Sequence, residues 1–245
     1  MTARRPGEGL MRIEVFADAD AVARAGAAII AAEARKAVAA SGRFSLAVSG
    51  GRAPRLMFRA LADADVPWQG LHLFQVDERV APAGHADRNL TSLQASLLAH
   101  CPLRAEQFHP MPVEATDLDA AAAGYAKILE EIAGTPAKLD LVHLGLGADG
   151  HTASLVPGDP VLAVIDRDVA VSGVYQARRR MTLTYPVLNR SGSILWLATG
   201  SEKAAALARL VRGDPSIPAG RVRPERAVLL ADGAAAAGVD QAPGR

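Results

Sequence analysis

Short apolar runs alternate with helix-like stretches along most of this chain. The first run, Arg12 to Phe16, precedes an alanine-rich stretch from Ala19 to Ala40. Asp18 can cap that stretch as a helix and Gly42 can end it. The next apolar run, Phe44 to Val48, leads into a glycine turn and another helix. The pattern therefore predicts a chain in which strands and helices follow one another.

The same alternation continues to the C-terminal region. Further strands are predicted at Leu71 to Val76, from Leu139, and at Val169 to Val171, Met181 to Thr184, Ile194 to Thr199 and Ala227 to Leu230. Further helices are predicted from Pro54, and at Leu90 to Leu98 and Leu118 to Ile132. This order favours an α/β fold with a mostly parallel, doubly wound sheet and helices on both faces. We expect one domain over residues 1–245, with partial disorder in the Ala- and Gly-rich end from Gly233 to Arg245.

The composition excludes several function classes. The net charge is only +1, from 27 basic and 26 acidic residues, so no global field would attract nucleic acid or an anionic membrane. Cys101 is the only cysteine, which excludes an internal disulfide and a CxxC site. No apolar run reaches the ~18 residues of a membrane span, and the N-terminus lacks a signal-peptide core. We expect a cytoplasmic monomer that binds neither nucleic acid nor membrane.

The segment Leu139 to Pro157 carries the most informative motif, an apolar run followed by the glycine-rich turn GLGADGH. Gly147 and Gly150 allow a sharp turn that delivers His151 to the end of a strand, where ligands bind in open α/β sheets. Because the unperturbed imidazole pKa is near ~6.5, His151 is the first candidate for proton transfer. The alternative is a helix-capping or buried structural histidine. Asp149 is either a ligand contact or a turn-stabilising residue.

Two looser motif matches are weak signals. GLGADG satisfies the dinucleotide pattern G-x-G-x-x-G, but no clear strand ends in an acid about 20 residues later. Ser49 lies in A-x-S-x-G, a variant of the nucleophile elbow of serine hydrolases. Such a hydrolase needs a later histidine, and none follows His151.

The turn formed by Ser49, Gly50, Gly51 and Arg52 is a candidate anion site. It lies between a predicted strand and a predicted helix. Backbone N–H groups and the positive end of the helix dipole would therefore face a phosphate. The alternative is an ordinary tight turn, which is common in α/β proteins.

Charged residues at other predicted strand ends are further candidates. Asp77 and Arg79 follow the Leu71 strand, so they could share a cleft with His151 if the sheet is parallel. Arg178, Arg180 and Lys203 could supply positive charge to a phosphate, although basic clusters are usually only solvated. The remaining histidines show no metal-ligand spacing such as HExxH, so no metal is predicted.

Five segments taken together identify a resemblance. They are SGGRAPR (Ser49 to Arg55), VDERVAPAGHADRN (Val76 to Asn89), LGLGADGHTASLVPG (Leu144 to Gly158), RMTLT (Arg180 to Thr184) and TGSEKAAAL (Thr199 to Leu207). In order and spacing the chain resembles the glucosamine-6-phosphate isomerase/6-phosphogluconolactonase family. The resemblance implies a glucosamine-6-phosphate-isomerase-like fold and the cofactor-free hydrolysis of 6-phospho-D-glucono-1,5-lactone to 6-phospho-D-gluconate, a step of the oxidative pentose phosphate pathway.

The resemblance also implies roles for individual residues. His151 would be the general base that activates water, with Asp77 and Arg79 orienting groups or stabilising the oxyanion. The glycine turn, Arg180 and Lys203 would hold the phosphate of the substrate.

The lactonase branch is favoured over its sister deaminases. Deaminases continue after the histidine with an Asn-Glu-Pro element, whereas this chain continues with Thr152 to Pro157, and they tend to have tyrosine where it has Arg79. The matched motif adds Asn89 to the expected binding residues. Two departures stand out: Ala53 replaces a usual Ser or Thr, and Arg88 replaces a usual serine. The lysine that often precedes the RxTLT strand is not evident, and Arg178 is its expected substitute.

Overall fold

The computed structural model describes residues 11–239, apart from the side chain of Arg52. Within these residues the strands are β1 (Arg12–Phe16), β2 (Phe44–Val48), β3 (Leu71–Gln75), β4 (Asp77–Arg79), β5 (Phe108–His109), β6 (Leu141–Gly145), β7 (Val169–Tyr175), β8 (Arg178–Leu183), β9 (Ser193–Ala198) and β10 (Ala227–Asp232). The α-helices are α1 (Ala19–Ser41), α2 (Arg52–Ala62), α3 (Asn89–Leu93), α4 (Leu118–Ala133), α5 (Tyr185–Arg190), α6 (Ala204–Val211) and α7 (Gly233–Ala236). A π-helical turn, Gln94–Leu98, continues α3. Short 3-10 turns are Trp68–Gly70, Ala105–Gln107, Pro160–Ala163, Ser201–Lys203 and Pro218–Arg221.

Seven strands form one parallel sheet in the order β1-β10-β9-β6-β2-β3-β5. Alternate residues of its strands face two separate cores. Leu195 and Leu197 of β9 pack with α1 and α2, whereas Ile194 and Trp196 pack with α4, α6 and the second sheet. Helices therefore cover both faces, and the predicted doubly wound α/β fold is confirmed.

The first predicted helix is confirmed together with its cap residues. The Asp18 Oδ1 atom accepts a hydrogen bond from the backbone N–H of Ala21 at 2.7 Å. Gly42 ends the helix with φ 76°, a left-handed conformation that glycine adopts without steric cost. The sequence pattern located this helix well because cap residues act locally.

A second sheet departs from the predicted single, mostly parallel sheet. Strands β4, β8 and β7 form an antiparallel sheet, in which Asp77 pairs with Thr182 and Arg79 pairs with Arg180. The segment Asp77–Arg79 is therefore a strand rather than a loop. β7 and β8 are joined by a tight hairpin, and a connection without a crossover cannot make strands parallel. Strand β5 was not predicted, because two residues show no periodicity.

Partial disorder was predicted from Gly233 to Arg245. The described part of this segment, residues 233–239, instead begins with the helix α7. Asp232 caps α7 through its Oδ1 atom, which accepts from the N–H of Ala235 at 2.8 Å. Ala235 and Ala236 are buried. Residues 240–245 lie outside the described part. Among the described helices, none combines the length and the apolar character needed to cross a membrane.

Candidate active site

A cleft of about 780 Å³ opens where the parallel strands end. Segments that follow β2, β3, β6 and β9 line it, together with the end of β10. Its lining includes most of the candidates predicted from the sequence, namely Ser49, Gly50, Gly51, Asp77, Arg79, Gly147, His151, Arg180 and Lys203. The strand ends thus bring residues more than a hundred positions apart into one site.

His151 and Asp149 form a hydrogen-bonded pair on one wall of this cleft. The Nδ1 atom of His151 lies 2.6 Å from Asp149 Oδ1, which also accepts from the backbone N–H of His151 at 3.1 Å. The His151 side chain is 24% exposed and lines the cleft. With Nδ1 engaged by the carboxylate, Nε2 is the ring nitrogen available to take a proton from a ligand or a water. Asp149 therefore stabilises the turn and orients the ring.

Gly147 makes room for this pair. A Cβ atom at position 147 would lie 2.0 Å from His151 Nδ1 and 2.6 Å from Asp149 Oδ1. Both distances are far below van der Waals contact, so any side chain here would displace the imidazole or the carboxylate. Gly150 turns the backbone at φ 85°, and a Cβ there would meet Ile217 at 2.6 Å. These glycines shape the site without lending it chemical groups.

The environment keeps Asp149 ionised. Burial alone would raise the pKa of Asp149, but the hydrogen bonds from the backbone and ring of His151, the His151 charge and the Tyr175 hydroxyl together hold that pKa below its usual value. The Tyr175 hydroxyl donates to Asp149 Oδ2 at 3.0 Å. An ionised Asp149 favours the Nδ1–H tautomer of His151, which is the tautomer that leaves Nε2 unprotonated.

Arg79 and Arg180 stand side by side on the paired strands β4 and β8. The Nε atom of each guanidinium is buried and has no hydrogen-bond partner among the described residues. Burial lowers the pKa of Arg180, and the nearby charge of Arg79 acts in the same direction while Asp77 opposes it. Two adjacent guanidinium groups that line one cleft provide a place for an anion.

Buried hydrogen bonds fix the segment that carries Asp77 and Arg79. Asp77 accepts from the Ser154 hydroxyl at 2.6 Å and from the Asn89 side chain at 3.1 Å. Arg79 Nη1 donates to Asn89 Oδ1 at 2.9 Å. Asn89 does not line the cleft itself; it holds two residues that do.

Glu78, fully buried between these two residues, anchors the same segment from behind. It accepts from the backbone N–H groups of Arg79, Asn89 and Leu90 at 2.7–2.8 Å. Its Oε2 atom lies 3.2 Å from Nε of Arg88, which is also buried. Arg88, which stands where a serine is usual, is therefore paired with the buried carboxylate of Glu78.

A second group of lining residues, called the second wall here, comprises the glycine turn, Arg55, Arg59 and Lys203. Gly51 precedes α2 with φ 131°, so the turn leads into the N-terminus of that helix as predicted. A Cβ at Gly50 would lie 2.0 Å from Asn89 Oδ1, which requires glycine there. Lys203 comes from the 3-10 turn after β9. The side chain of Arg52 lies outside the described residues.

Ser49 is not part of a nucleophile–base pair. Its hydroxyl is buried and has no hydrogen-bond partner among the described residues. The nearest histidine contact is His143 Nδ1, which accepts from the backbone N–H of Ser49 at 3.3 Å. Burial lowers the pKa of His143 to about 3. The turn after His151 also does not lead into a helix, so neither the serine-hydrolase nor the dinucleotide pattern is realised.

Arg178 lies away from the cleft lining. Its guanidinium contacts Asp87 at 3.2 Å and His85 Nε2 at 3.2 Å. Arg180, two residues later on β8, points into the cleft instead. Because residues two apart on a strand share a face, the contacts with Asp87 and His85, rather than strand alternation, are what separate Arg178 from Arg180.

The residues 11–239 include no group of three or more His, Cys, Asp or Glu side chains placed to hold a metal ion. The charged residues of the cleft lining also include Arg55, Arg59, Glu202 and Asp232. Asp232 accepts from the backbone N–H of Gly200 at 3.0 Å and so is partly used by the turn.

Comparison with known proteins decides the family. Residues 17–231 match the model of the glucosamine-6-phosphate isomerases/6-phosphogluconolactonase family. The chain belongs to this family. It is 36% identical over 197 residues to a 6-phosphogluconolactonase of Synechocystis, covering 78% of this chain and 82% of that protein. It is also 36% identical over 241 residues to a 6-phosphogluconolactonase of Mycobacterium tuberculosis, covering 92% of this chain and 97% of that protein. A solved 6-phosphogluconolactonase of Thermotoga maritima superimposes with a TM-score of 0.79 at 25% identity, covering 90% and 98%.

Family membership was predicted, but some cleft residues were not. Arg55 and Arg59 line the cleft from successive turns of α2 and are exposed. Their spacing of four residues puts them on one helix face, which was a usable signal. Tyr175 and Ser154, which contact Asp149 and Asp77, were also not predicted. No local pattern marks them, because their partners lie far away in the chain.

Proposed function

We propose that this member of the glucosamine-6-phosphate isomerase/6-phosphogluconolactonase family is a carboxylic-ester hydrolase that converts 6-phospho-D-glucono-1,5-lactone to 6-phospho-D-gluconate. The observation that carries the proposal is the Asp149–His151 pair, which shares a cleft with Arg79 and Arg180. The named relatives support the lactone as substrate. The reaction belongs to the oxidative pentose phosphate pathway, and the proposal requires no cofactor.

His151 acts as the general base in this proposal. Asp149 holds Nδ1, and Nε2 takes a proton from a water that attacks the C1 carbonyl of the lactone. The ring oxygen leaves as the C1–O bond breaks and recovers a proton from the imidazolium. Because the carbonyl of a δ-lactone is already electrophilic, one positioned base together with charge stabilisation is sufficient.

Arg79 stabilises the oxyanion that develops at C1. Its fixed hydrogen bonds to Asn89 and to the Asp87 carbonyl hold the guanidinium in place before substrate arrives. Preorganised donors of this kind cost no reorganisation in the transition state. Asp77 orients the substrate or the attacking water, since Ser154 and Asn89 fix its carboxylate.

The phosphate of the substrate binds at the second wall and at Arg180. The backbone of Gly50 and Gly51, the start of α2, Lys203 and Arg180 supply the positive groups. We assign this role to Arg180 in preference to Arg178, because Arg178 is paired with Asp87 away from the cleft.

The test is lactone hydrolysis with freshly generated 6-phosphogluconolactone, after subtraction of the spontaneous rate. Wild type should accelerate the reaction, and His151→Ala should lose about 10²–10⁴ of kcat, as expected for a general base. His100→Ala, which alters an exposed histidine far from the cleft lining, is the matched control. Near-normal kcat in His151→Ala would reject the base assignment.

A second assay separates the lactonase from its sister activity. Deaminases of the same family would release ammonia from glucosamine-6-phosphate. A folded wild-type protein that released ammonia but did not hydrolyse the lactone would overturn the proposed reaction and leave the family assignment intact. The proposal further expects a cytoplasmic monomer, which light scattering can check for the oligomeric state.

A further inference from the structure

The tip of the β7–β8 hairpin has an unusual backbone. Gln176 and Ala177 connect the strands, and both are left-handed, with φ 51° and 63°. Tight hairpins of this type normally use Asn and Gly, because other residues pay a steric cost there. Strain of this kind concentrates where the surrounding structure needs one arrangement. Gln176 and Ala177 are exposed, and hydrogen bonds from Tyr175 to Asp149 and from Arg180 to Gln176 connect the tip to the site.

Tyr175, the residue before this turn, contacts three groups of the site. Its hydroxyl donates to Asp149 Oδ2 at 3.0 Å. Its ring meets the His151 ring edge-on, with centroids 5.4 Å apart. The Cζ atom of Arg180 lies 4.8 Å from the centre of the same ring. Gln176 also accepts from Arg180 Nη2 at 3.2 Å. The hairpin tip thus joins the base to a cation that faces the substrate.

We propose that Tyr175 is a positioning residue that fixes the Asp149–His151 pair and aligns Arg180 with it. The inference rests on the proposed lactone hydrolysis and deepens it. Asp149 uses Oδ1 for His151 and Oδ2 for Tyr175, so its carboxylate is held at both oxygens. A carboxylate held at one oxygen only could rotate and release the imidazole. Tyr175 does not line the cleft, so its effect acts through these neighbours.

The tyrosine hydroxyl stays a donor over the working pH range. Burial raises the pKa of Tyr175, and the hydrogen bond and charge of Asp149 raise it further, while Arg180 opposes. The ring face also provides the guanidinium of Arg180 with a cation–π contact. One side chain therefore supports the two charged groups that the reaction uses on this wall.

Tyr175→Phe tests the hydroxyl while keeping the ring. We expect kcat for the lactone to fall about tenfold, as commonly follows the loss of a partner that orients a functional histidine. KM should stay within about twofold, because the ring still supports Arg180. Tyr175→Ala removes the ring as well, and it should lower kcat similarly and also raise KM.

The pH profile distinguishes positioning from a structural defect. Without the tyrosine hydrogen bond, Asp149 becomes more basic and holds the His151 imidazolium more tightly. The acid limb of kcat/KM in Tyr175→Phe should therefore move to higher pH by roughly a few tenths of a unit. Partial unfolding would lower kcat without moving this limb, and thermal melting of each variant checks folding.

Val174→Ala is the matched control on the same hairpin, since Val174 is 71% exposed and has no assigned role in the site. It should leave kcat and the pH profile unchanged. If wild type hydrolyses the lactone and Tyr175→Phe matches it in kcat and in pH profile, the role of Tyr175 is refuted and the reaction stands. If wild type itself fails to accelerate hydrolysis, the proposed function fails first.

Discussion

The two walls of the cleft are built differently. One wall carries His151. Three acidic residues of this wall each accept two or more hydrogen bonds, namely Asp77, Glu78 and Asp149. On the second wall, Lys203, Arg55 and Arg59 form no ion pair with the described residues. The first wall is organised to keep a geometry before the ligand arrives, whereas the second leaves its positive charge for the ligand to neutralise.

The largest expected effect concerns the anchor behind the first wall. Arg88→Ala removes one partner of the Glu78–Arg88 pair, whose side chains are 0% and 3% exposed, respectively. Breaking a buried ion pair in this way costs about 3–5 kcal/mol of unfolding free energy, because the remaining charge stays buried. Urea denaturation measures the loss.

The exposed pair between Arg104 and Glu106 is the matched control for this variant. Its atoms are closer, at 2.8 Å, but the side chains are 60% and 67% exposed. Arg104→Ala should therefore cost less than about 1 kcal/mol. Similar losses in the two variants would show that burial is not what makes the Arg88 pair important.

The next effect should be specific to catalysis. Gly147→Ala places a methyl group on the Asp149–His151 pair and should reduce kcat about a hundredfold, since a misplacement near 1 Å can cost that much. Gly124→Ala on α4 adds its methyl group to open space and should keep full activity. Unchanged kcat in Gly147→Ala would mean that the pair tolerates displacement.

Substitutions on the second wall should change substrate binding rather than turnover. Lys203→Ala should raise KM about tenfold and leave kcat nearly unchanged, if the phosphate contact is equal in the ground and transition states. Lys127→Ala, on α4 and outside the cleft lining, controls for a general loss of positive charge. A fall in kcat with constant KM would show that Lys203 contributes to turnover rather than to substrate binding.

The smallest expected effect is a pH-dependent change in the free energy of unfolding, caused by a histidine buried beneath the glycine turn. His143 has a folded-state pKa of about 3, below its unfolded value of ~6.5. Between these values the unfolded chain binds a proton that the folded chain does not, so stability falls as pH decreases. From pH 7.5 to pH 6 the loss should be about 0.8 kcal/mol.

His143→Leu should remove this contribution, and urea denaturation at both pH values measures the difference. His109, whose pKa is lowered to about 4 by burial and by His72, acts in the same direction and remains in the variant. The residual pH dependence therefore reports on His109 and its neighbours. An equal fall in wild type and His143→Leu would exclude His143 as the source.

Features that depend on neighbouring residues in the chain were predicted better than features that depend on distant residues. Asp18, Gly42 and the glycine turn act through neighbours in the chain, so the sequence located α1 and the start of the second wall. The Tyr175 to Asp149 bond spans 26 residues and depends on the hairpin register, which no local pattern sets. The direction of β4 escaped prediction for a similar reason, since its partner β8 lies a hundred residues away.

The sequence predicted candidate residues of the site but not the residues that support them. His151, Asp77 and Arg79 were candidates because their residue types and strand-end positions are typical of active sites, and all three line the cleft. Arg55 and Arg59 were missed because exposed arginines on a helix are usually only solvated. For Asp149, the sequence left turn and ligand roles open, and the structure gives it the turn together with a hydrogen bond to the His151 ring.

The contact between Gly50 and Asn89 ties the evolution of the two walls together. Because Asn89 Oδ1 fills the space of a Cβ at position 50, a side chain can enter there only after residue 89 becomes smaller. Such a change would also release Arg79 and Asp77 from Asn89. Substitutions at these positions should therefore be epistatic, and a mutational path that remodels the glycine turn must first pass through an intermediate in which Asp77 and Arg79 have lost their contacts with Asn89.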